Sequence, residues 1–382
     1  MPNNKVRGFM DDKLKIIISG GGTGGHIFPA VSIANAIRAK HPDAEILFVG
    51  ALGRMEMQRV PAAGYEIVGL PICGFDRKNM LKNISVLFKI WKSQRMAKSI
   101  IRKFKPMAAV GVGGYASGPT LNECAKHGIP CLIQEQNSYA GVTNKILAKK
   151  VDRICVAYDG MERFFPADKI VKTGNPVRQA LLENKMTRAE ALRTFGLDEN
   201  KKTVLIVGGS LGARTMNESV LRHLDDIKAS GVQFIWQTGK YYNASINEQL
   251  KGRTDLPMLK VMDFISDMGA AYKAADLVIS RAGASSISEF CLIGKPVILV
   301  PSPNVAEDHQ TKNAMALVNK DAALYVKDAE APDKVIALAI KTVNDDEQLS
   351  KLAANIKKLG LPDSADVIAD EVIKLARERA KK

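Results

Sequence analysis

The sequence predicts an α/β protein made of two successive parallel-sheet units. Three observations predict it. Short apolar runs of strand length alternate with stretches long enough for crossover helices. The alternation breaks and restarts once, near residues 174–176, and each half opens with a strand that runs straight into a glycine-rich loop. At 382 residues the chain has the length of two domains of roughly 150 residues or more each.

In the first half, residues 14–18 form the opening strand, glycines follow, and residues 30–39 carry a helical pattern. A second strand at 45–49 follows at βαβ spacing, and further apolar runs lie at 107–112, 130–134 and 153–156. Continuous apolar strands of this kind belong to a parallel sheet covered on both faces. The segment Gly174-Asn175-Pro176 is the expected linker, because the residue before a proline is driven out of the helical region. Beyond it, strands are expected at 203–207, 233–237, 259–262, 277–280 and 296–300, with helices between them.

Composition narrows the class. Apolar residues make up 46% and charged residues 25%, as in an ordinary globular protein. Lys and Arg number 55 against 40 Asp and Glu, a formal charge of +15 that calls for an anionic partner. The excess is uneven: residues 1–176 carry 26 basic and 13 acidic side chains, and residues 177–382 carry 29 and 27. The five cysteines form no C-x-x-C pair, so neither a disulfide framework nor a zinc site is expected, and they read as core residues of a reducing compartment. The polar, charged first 13 residues lead into no apolar run long enough for a signal peptide, and no stretch has the length of a spanning helix. A soluble or peripheral protein is expected.

The first loop reads GGGTGGH over residues 20–26. Gly20, Gly22 and Gly25 satisfy G-x-G-x-x-G, but the second strand ends Val49-Gly50-Ala51, without the acidic residue that binds ribose in dinucleotide sites. A Walker loop is excluded by the lack of Gly-Lys-Ser/Thr. What remains is a loop whose N–H groups and following helix start can approach a phosphate or sugar, or else a tight turn with no ligand. GGSLG at 208–212 occupies the equivalent place in the second half, which suggests ligands held across a cleft between domains. GGYASGP at 113–119 and SRAGASSISE at 280–289 follow strands in the same way. In the latter, Glu289 reads either as an acceptor for two ribose hydroxyls or as a favourable charge in the first helical turn. Asp308-His309-Gln310 reads as a set of sugar-hydroxyl contacts or as a helix cap.

Taken together, GGGTGGHIFPA, GGYASGP, EQN, TGNPVR, GGSLGA, SRAGASSISE and PSPNVAEDHQ, in this order, resemble glycosyltransferase family 28 and, within it, the peptidoglycan N-acetylglucosaminyltransferases. The likeness runs from about residue 15 to 313. It implies a GT-B fold, two Rossmann-like domains facing across a cleft. The implied division is residues 13–175, joined by a C-terminal helix at about 362–382, as the acceptor and membrane side, and residues 176–361 as the donor side. It further implies inverting transfer of N-acetylglucosamine from UDP-N-acetylglucosamine to the 4-hydroxyl of an undecaprenyl-linked muramyl-pentapeptide, lipid I, giving lipid II. That reaction would place the protein in peptidoglycan synthesis, and so in cell wall biogenesis, cell shape and cell division. By this resemblance Thr23, Gly24, Gly25 and Asn137 reach the donor from the N-terminal side. Arg178, Ser210, Ile265, Ala284, Ser285, Ser286, Ile287, Ser288, Glu289 and Gln310 line the donor pocket, and Gly113, Gly114, Tyr115 and Ser117 form an acceptor loop. The chain departs from the family pattern at Ala282-Gly283, where Ser-Gly is usual, and at His309-Gln310-Thr311, where Arg-Gln-Gln is usual. The amide expected beside Gln310 is thus replaced by the Thr311 hydroxyl.

An inverting transfer needs a base for the acceptor hydroxyl and a means of stabilising the departing UDP. His26 is the first candidate base and Glu135 the second, with hydrogen bonding to the loop backbone as the structural alternative for His26. The helix start behind Ser210, the loop N–H groups and Arg178 would meet the leaving-group charge. No D-x-D occurs, so neither a protein-bound metal nor another cofactor is expected.

Residues 75–105 hold ten basic side chains and one acid, Asp76. Leu81, Ile84, Phe88 and Trp91 recur there at helical spacing, flanked by Lys82, Lys89 and Lys92. Such a stripe either packs on the domain core or docks on an anionic membrane. About 1 kcal/mol per basic residue near an anionic leaflet, plus partial insertion of a few apolar side chains at up to roughly 1.5–3 kcal/mol each, gives reversible peripheral binding. The expected location is the cytoplasmic face of the cell membrane. The rival readings are a GT-B transferase for another lipid or aglycone, a UDP-sugar 2-epimerase, and a nucleic-acid-binding module. Sparse aromatics, 6% of residues, with no stacking platform, argue against the last.

Overall fold

Opposed apolar faces along the chain are buried by helices on both sides of two sheets. The computed structural model describes residues 13–74, 83–177, 180–209 and 211–380. The chain divides into two units: residues 1–177 with 362–382, and residues 178–361.

The first unit contains seven strands: β1 Lys15–Ser19, β2 Glu45–Ala51, β3 Glu66–Leu70, β4 Ala108–Gly111, β5 Cys131–Glu135, β6 Arg153–Val156 and β7 Ile170–Lys172. They form one parallel sheet in the order β3-β2-β1-β4-β5-β6-β7. Ser19 at the end of β1 pairs with Val49 on one side and Gly111 on the other. On one face Ile16, Ile18 and Val110 pack with Ile33 and Ile37 of the helix Gly24–Lys40 and with Ile368 and Val372 of the C-terminal helix Ser364–Ala380. Lys40 lies 2.9 Å from Asp370, and Arg379 donates to the Pro106 carbonyl at 2.8 Å, so the chain's last helix is fastened to its first domain. The other face carries Ile17, Ile133 and Ile154 against Ile101, Leu121 and Leu147.

The second unit has six parallel strands: β8 Thr203–Val207, β9 Gln233–Gln237, β10 Leu259–Met262, β11 Leu277–Ser280, β12 Val297–Leu299 and β13 Leu324–Tyr325. Their order is β10-β9-β8-β11-β12-β13. Phe234 and Trp236 are fully buried on β9, where the Trp236 indole donates to Asn217 Oδ1 at 2.9 Å.

In both sheets the strand order reverses once, between β1 and β4 and between β8 and β11. Ligands of open α/β sheets bind at the carboxyl ends of strands at such a switch point. The four glycine-rich segments legible in the sequence leave these four strands.

Two features differ from expectation. The first helix begins at Gly24, six residues before the apolar pattern suggests, because burial of Ile27 overrides the poor helix propensity of Gly24, Gly25 and Pro29. The strands β3, β7 and β13 carry no strong sequence signal. All three lie at sheet edges, where half-solvated strands need no continuous apolar run.

Candidate functional site

In the first unit, the loops after β1 and β4 lie directly on each other. Gly114 has φ +85°, and a Cβ there would sit 2.4 Å from the Gly21 carbonyl oxygen, so only glycine permits this approach. Thr23 is the residue before the helix, and its carbonyl accepts the N–H groups of His26 and Ile27 at 3.1 Å each. The sequence therefore places Thr23, Gly24 and Gly25 at a helix start at the sheet's switch point.

His26 reaches back over this loop, with Nδ1 3.0 Å from the Gly21 carbonyl and 3.2 Å from Thr23 Oγ1. A carbonyl only accepts, so the Gly21 contact places the proton on Nδ1 and makes Nε2 the basic nitrogen. Nε2 lies beside the second loop, 3.0 Å from where a Cβ on Gly113 would stand. The loop-binding reading of His26 is met by Nδ1, and Nε2 is left facing the second loop.

Glu135 is corrected from candidate base to scaffold. It is 1% exposed and its oxygens accept Asn137 N at 3.1 Å, Asn137 Nδ2 at 3.2 Å, Gly141 N at 3.0 Å and Asn144 Nδ2 at 2.8 Å. A carboxylate holding four donors orients the Asn137 loop and has little left with which to take a proton. Ser117 is likewise committed, its buried hydroxyl lying 2.8 Å from Ser19 O and 2.9 Å from Gly113 O. Tyr115, by contrast, is half exposed.

Glu56 is a support of the first loop that sequence reasoning missed. Buried behind the first loop, it accepts Gly22 N at 2.8 Å and Ala51 N at 3.0 Å.

The second unit holds a cavity of about 550 Å³ at its own switch point, lined from the ends of β8 and β11, by Ser302, Asn304 and Gln310, and by Asp328. Gly212 has φ +86°, and a Cβ there would lie 2.1 Å from the Thr238 carbonyl oxygen. The starts of helices Arg214–Arg222 and Ala284–Ile293 border the cavity, through Ala213 and Arg214 and through Gly283 and Ser286. Their N–H groups suit an anionic ligand. Gln237, also missed in the sequence, ties the loops together: its Nε2 donates to Gly209 O at 3.1 Å and its Oε1 accepts Ile265 N at 2.9 Å. Gln310 Oε1 accepts Ala282 N at 3.2 Å and Ser302 N at 2.8 Å, which fixes its amide at the cavity wall.

The remaining expected donor residues fare differently. Ala284 and Ile287 are buried, Ser288 returns its hydroxyl to Ala284 O at 3.0 Å, and Ser285 Oγ is buried without a partner among the described residues. Glu289 is buried in the second helical turn and accepts the Tyr272 hydroxyl at 3.0 Å, so the first-turn charge reading fails. The capping reading of residues 308–310 fails too: Asp308 makes no side-chain cap bond, and its carboxylate accepts the Thr311 hydroxyl at 2.8 Å. Arg178 and Ser210 lie outside the described residues.

Two stretches of the chain match the two domains of one family. Residues 16–156 match the glycosyltransferase family 28 N-terminal domain and residues 203–368 the glycosyltransferase family 28 C-terminal domain. The chain belongs to glycosyltransferase family 28. Among its relatives, the UDP-N-acetylglucosamine--N-acetylmuramyl-(pentapeptide) pyrophosphoryl-undecaprenol N-acetylglucosamine transferase of Phocaeicola vulgatus is 70% identical over 96% of this chain and 98% of that protein. The protein of the same name from Porphyromonas gingivalis is 55% identical over 95% and 96%. The crystal structure of Acinetobacter baumannii MurG superposes with a TM-score of 0.76 at 28% identity, covering 94% of this chain and 99% of that one. The crystal structure of a UDP-N-acetylglucosamine 2-epimerase shares the fold, with a TM-score of 0.66 at 13% identity over 95% and 96% of the chains. The family 28 chain is thus a glycosyltransferase of GT-B architecture.

One further surface belongs to the first unit of this family 28 enzyme. The helix Asn83–Phe104 turns Val86, Ala97 and Ile101 into the core. Phe88 and Trp91 are 63% and 48% exposed, with ring centroids 5.7 Å apart, and Arg95 sits 4.1 Å over the Trp91 ring. The core-packing reading of that stripe is therefore wrong for these two side chains. Lys89 and Lys92 are exposed beside them, while Leu81, Lys82 and the Ile84 side chain lie outside the described residues. Among the described residues no helix is long and apolar enough to cross a membrane.

Proposed function

We propose that this glycosyltransferase moves N-acetylglucosamine from UDP-N-acetylglucosamine to the 4-hydroxyl of lipid I, producing lipid II with inversion at the anomeric carbon. The observation that carries the reading is the 70% identity to the Phocaeicola vulgatus transferase of that activity over 96% of the chain.

The chemistry needs a pocket that stabilises the departing UDP and a base for the acceptor hydroxyl. UDP occupies the second-unit cavity, where the helix starts at Arg214 and Ala284 and the N–H groups of the β8 loop stabilise the charge that grows on UDP as the glycosidic bond breaks. Ile265, Gln310, Ser286 and Glu289, with Arg178 and Ser210, hold the nucleotide sugar. By likeness to the family, Thr23, Gly24, Gly25 and Asn137 also take part in donor binding. His26 Nε2 takes the proton from the attacking hydroxyl, and Gly113, Gly114 and Tyr115 beside it receive the acceptor. Deprotonation as the new C–O bond forms is what makes a hydroxyl competent to attack. The exposed Phe88 and Trp91 with Lys89 and Lys92 seat the enzyme peripherally on the anionic cytoplasmic leaflet that carries the acceptor's polyprenyl tail.

The test is incubation with labelled UDP-N-acetylglucosamine and a lipid I analogue. A disaccharide-lipid is expected. A folded enzyme that binds the nucleotide sugar yet forms no disaccharide would overturn the reading, and release of an altered sugar without any acceptor would establish the epimerase in its place.

A further inference from the structure

We propose that Asp328 is a resident counter-anion of the donor cavity, competing with the nucleotide's diphosphate for Arg281 and so keeping UDP release fast. The proposal rests on the donor reading above and adds to it a residue that sets product affinity.

Asp328 opens a short 3-10 turn after β13 and lines the cavity. Its Oδ1 accepts both Arg281 Nη1 and, at 2.6 Å, the Thr215 hydroxyl. Arg281 leaves the end of β11 and is tied down further: Nη1 donates to Val300 O at 3.0 Å and Pro301 O at 3.3 Å, and Nη2 reaches Thr215 Oγ1 at 3.4 Å. Both charged side chains are 17% exposed. A guanidinium carries five N–H donors. Nε and one Nη2 hydrogen of Arg281 therefore have no partner among the described residues, so the group is neutralised and held, with donors still to give.

The surroundings favour an anion. Two helix starts and a glycine loop border the same cavity. The other arginine on its wall, Arg214, is 73% exposed and lies 3.7 Å from Glu218, so each of these two arginines faces a carboxylate. A carboxylate in the wall of a diphosphate site repels the ligand, and in a half-desolvated cavity that repulsion is weakly screened. Its use follows from turnover. UDP is the leaving group, and tight binding of a product gains nothing in the transition state while slowing its departure. Asp328 keeps Arg281 neutralised throughout, so the diphosphate gains less from it and leaves sooner.

Calorimetric binding of UDP and of uridine to the full-length enzyme, compared with Asp328→Asn, tests this. The asparagine keeps the shape and one acceptor but not the charge. UDP is expected to bind about tenfold tighter in the variant and to dissociate correspondingly more slowly in stopped flow, with uridine unchanged. Unchanged or weaker UDP binding would overturn the proposal, as would a parallel change for uridine, which would mark a rearranged cavity. Asp328→Ser, which keeps a hydroxyl for Arg281 and Thr215, serves if the asparagine variant does not fold. A folded wild-type enzyme that binds no UDP would remove the donor reading and this proposal with it. UDP binding without tightening in the variants would remove this proposal alone.

Discussion

The Glu56 carboxylate and the Gly22 N–H form a 2.8 Å hydrogen bond beneath the first glycine loop, and the second Glu56 oxygen holds Ala51 N at 3.0 Å. One N–H of the loop is thus spent inside the protein, with a negative charge behind it. A loop so backed suits sugar hydroxyls better than the pyrophosphate of a dinucleotide. Glu56→Gln cannot accept on both sides, because its NH2 must face one of the two N–H groups. A stability loss of about 1–3 kcal/mol is expected for the unsatisfied donor, together with lower turnover, read by thermal denaturation and a steady-state assay. Unaltered melting would show that the loop stands without this prop.

His26→Ala removes the imidazole proposed as the base and lies outside the residues that line the second-unit cavity. Turnover should fall by roughly 10²–10⁴, the usual contribution of a positioned base, with UDP binding within about twofold of wild type. The reverse pattern, weak UDP binding with normal turnover at saturation, would assign His26 to the loop backbone alone.

How far the sequence carried these assignments depends on what each residue needs. The glycine loops were legible because close backbone approaches, such as Gly114 over Gly21, tolerate no other residue and so leave a mark in the local sequence. Glu56 left none: it is 34 residues from Gly22 and reads as an ordinary helix charge until the sheet brings β1 and β2 together. Asp328 stands 47 residues from Arg281 for the same reason. Glu289 was legible as a site candidate but not as the partner of Tyr272, and Glu135 looked like a base because its four donors arrive only when the loop after β5 folds back.

Phe88 and Trp91 stand outside the core, so their loss should separate membrane binding from stability. Phe88→Ala with Trp91→Ala is expected to weaken sedimentation with anionic vesicles at least tenfold, since each aromatic side chain carries of the order of 1 kcal/mol or more even when only partly inserted. The melting temperature should stay within about 2 °C, as for surface substitutions generally. Added salt should weaken the wild type further by screening the neighbouring Lys89 and Lys92. Ile101→Ala, on the core side of the same helix, should instead lower the melting temperature. Vesicle binding that survives the double substitution would place the membrane contact elsewhere.

Lys295 offers a pH dependence whose sign can be worked out. Its amine donates to the Ala275 carbonyl, and desolvation lowers its pKa from 10.5 to about 8. Asp276 pulls the value back up, while Lys273 and Arg188 push it down. Folding therefore disfavours the ammonium form. Below about 8 both states are protonated and the folded state bears the full penalty. Between about 8 and 10.5 the unfolded chain keeps its proton while the folded one releases it, so stability rises with pH across that window. Denaturant unfolding of wild type and Lys295→Met at pH 7.5 and pH 10 isolates the effect, because the other titrating groups are common to both proteins. The wild type should gain on the variant as pH rises, since methionine fills the same space with no proton to lose. A difference that stays constant, or shrinks, would mean that the ammonium is better solvated in the folded protein than its surroundings imply.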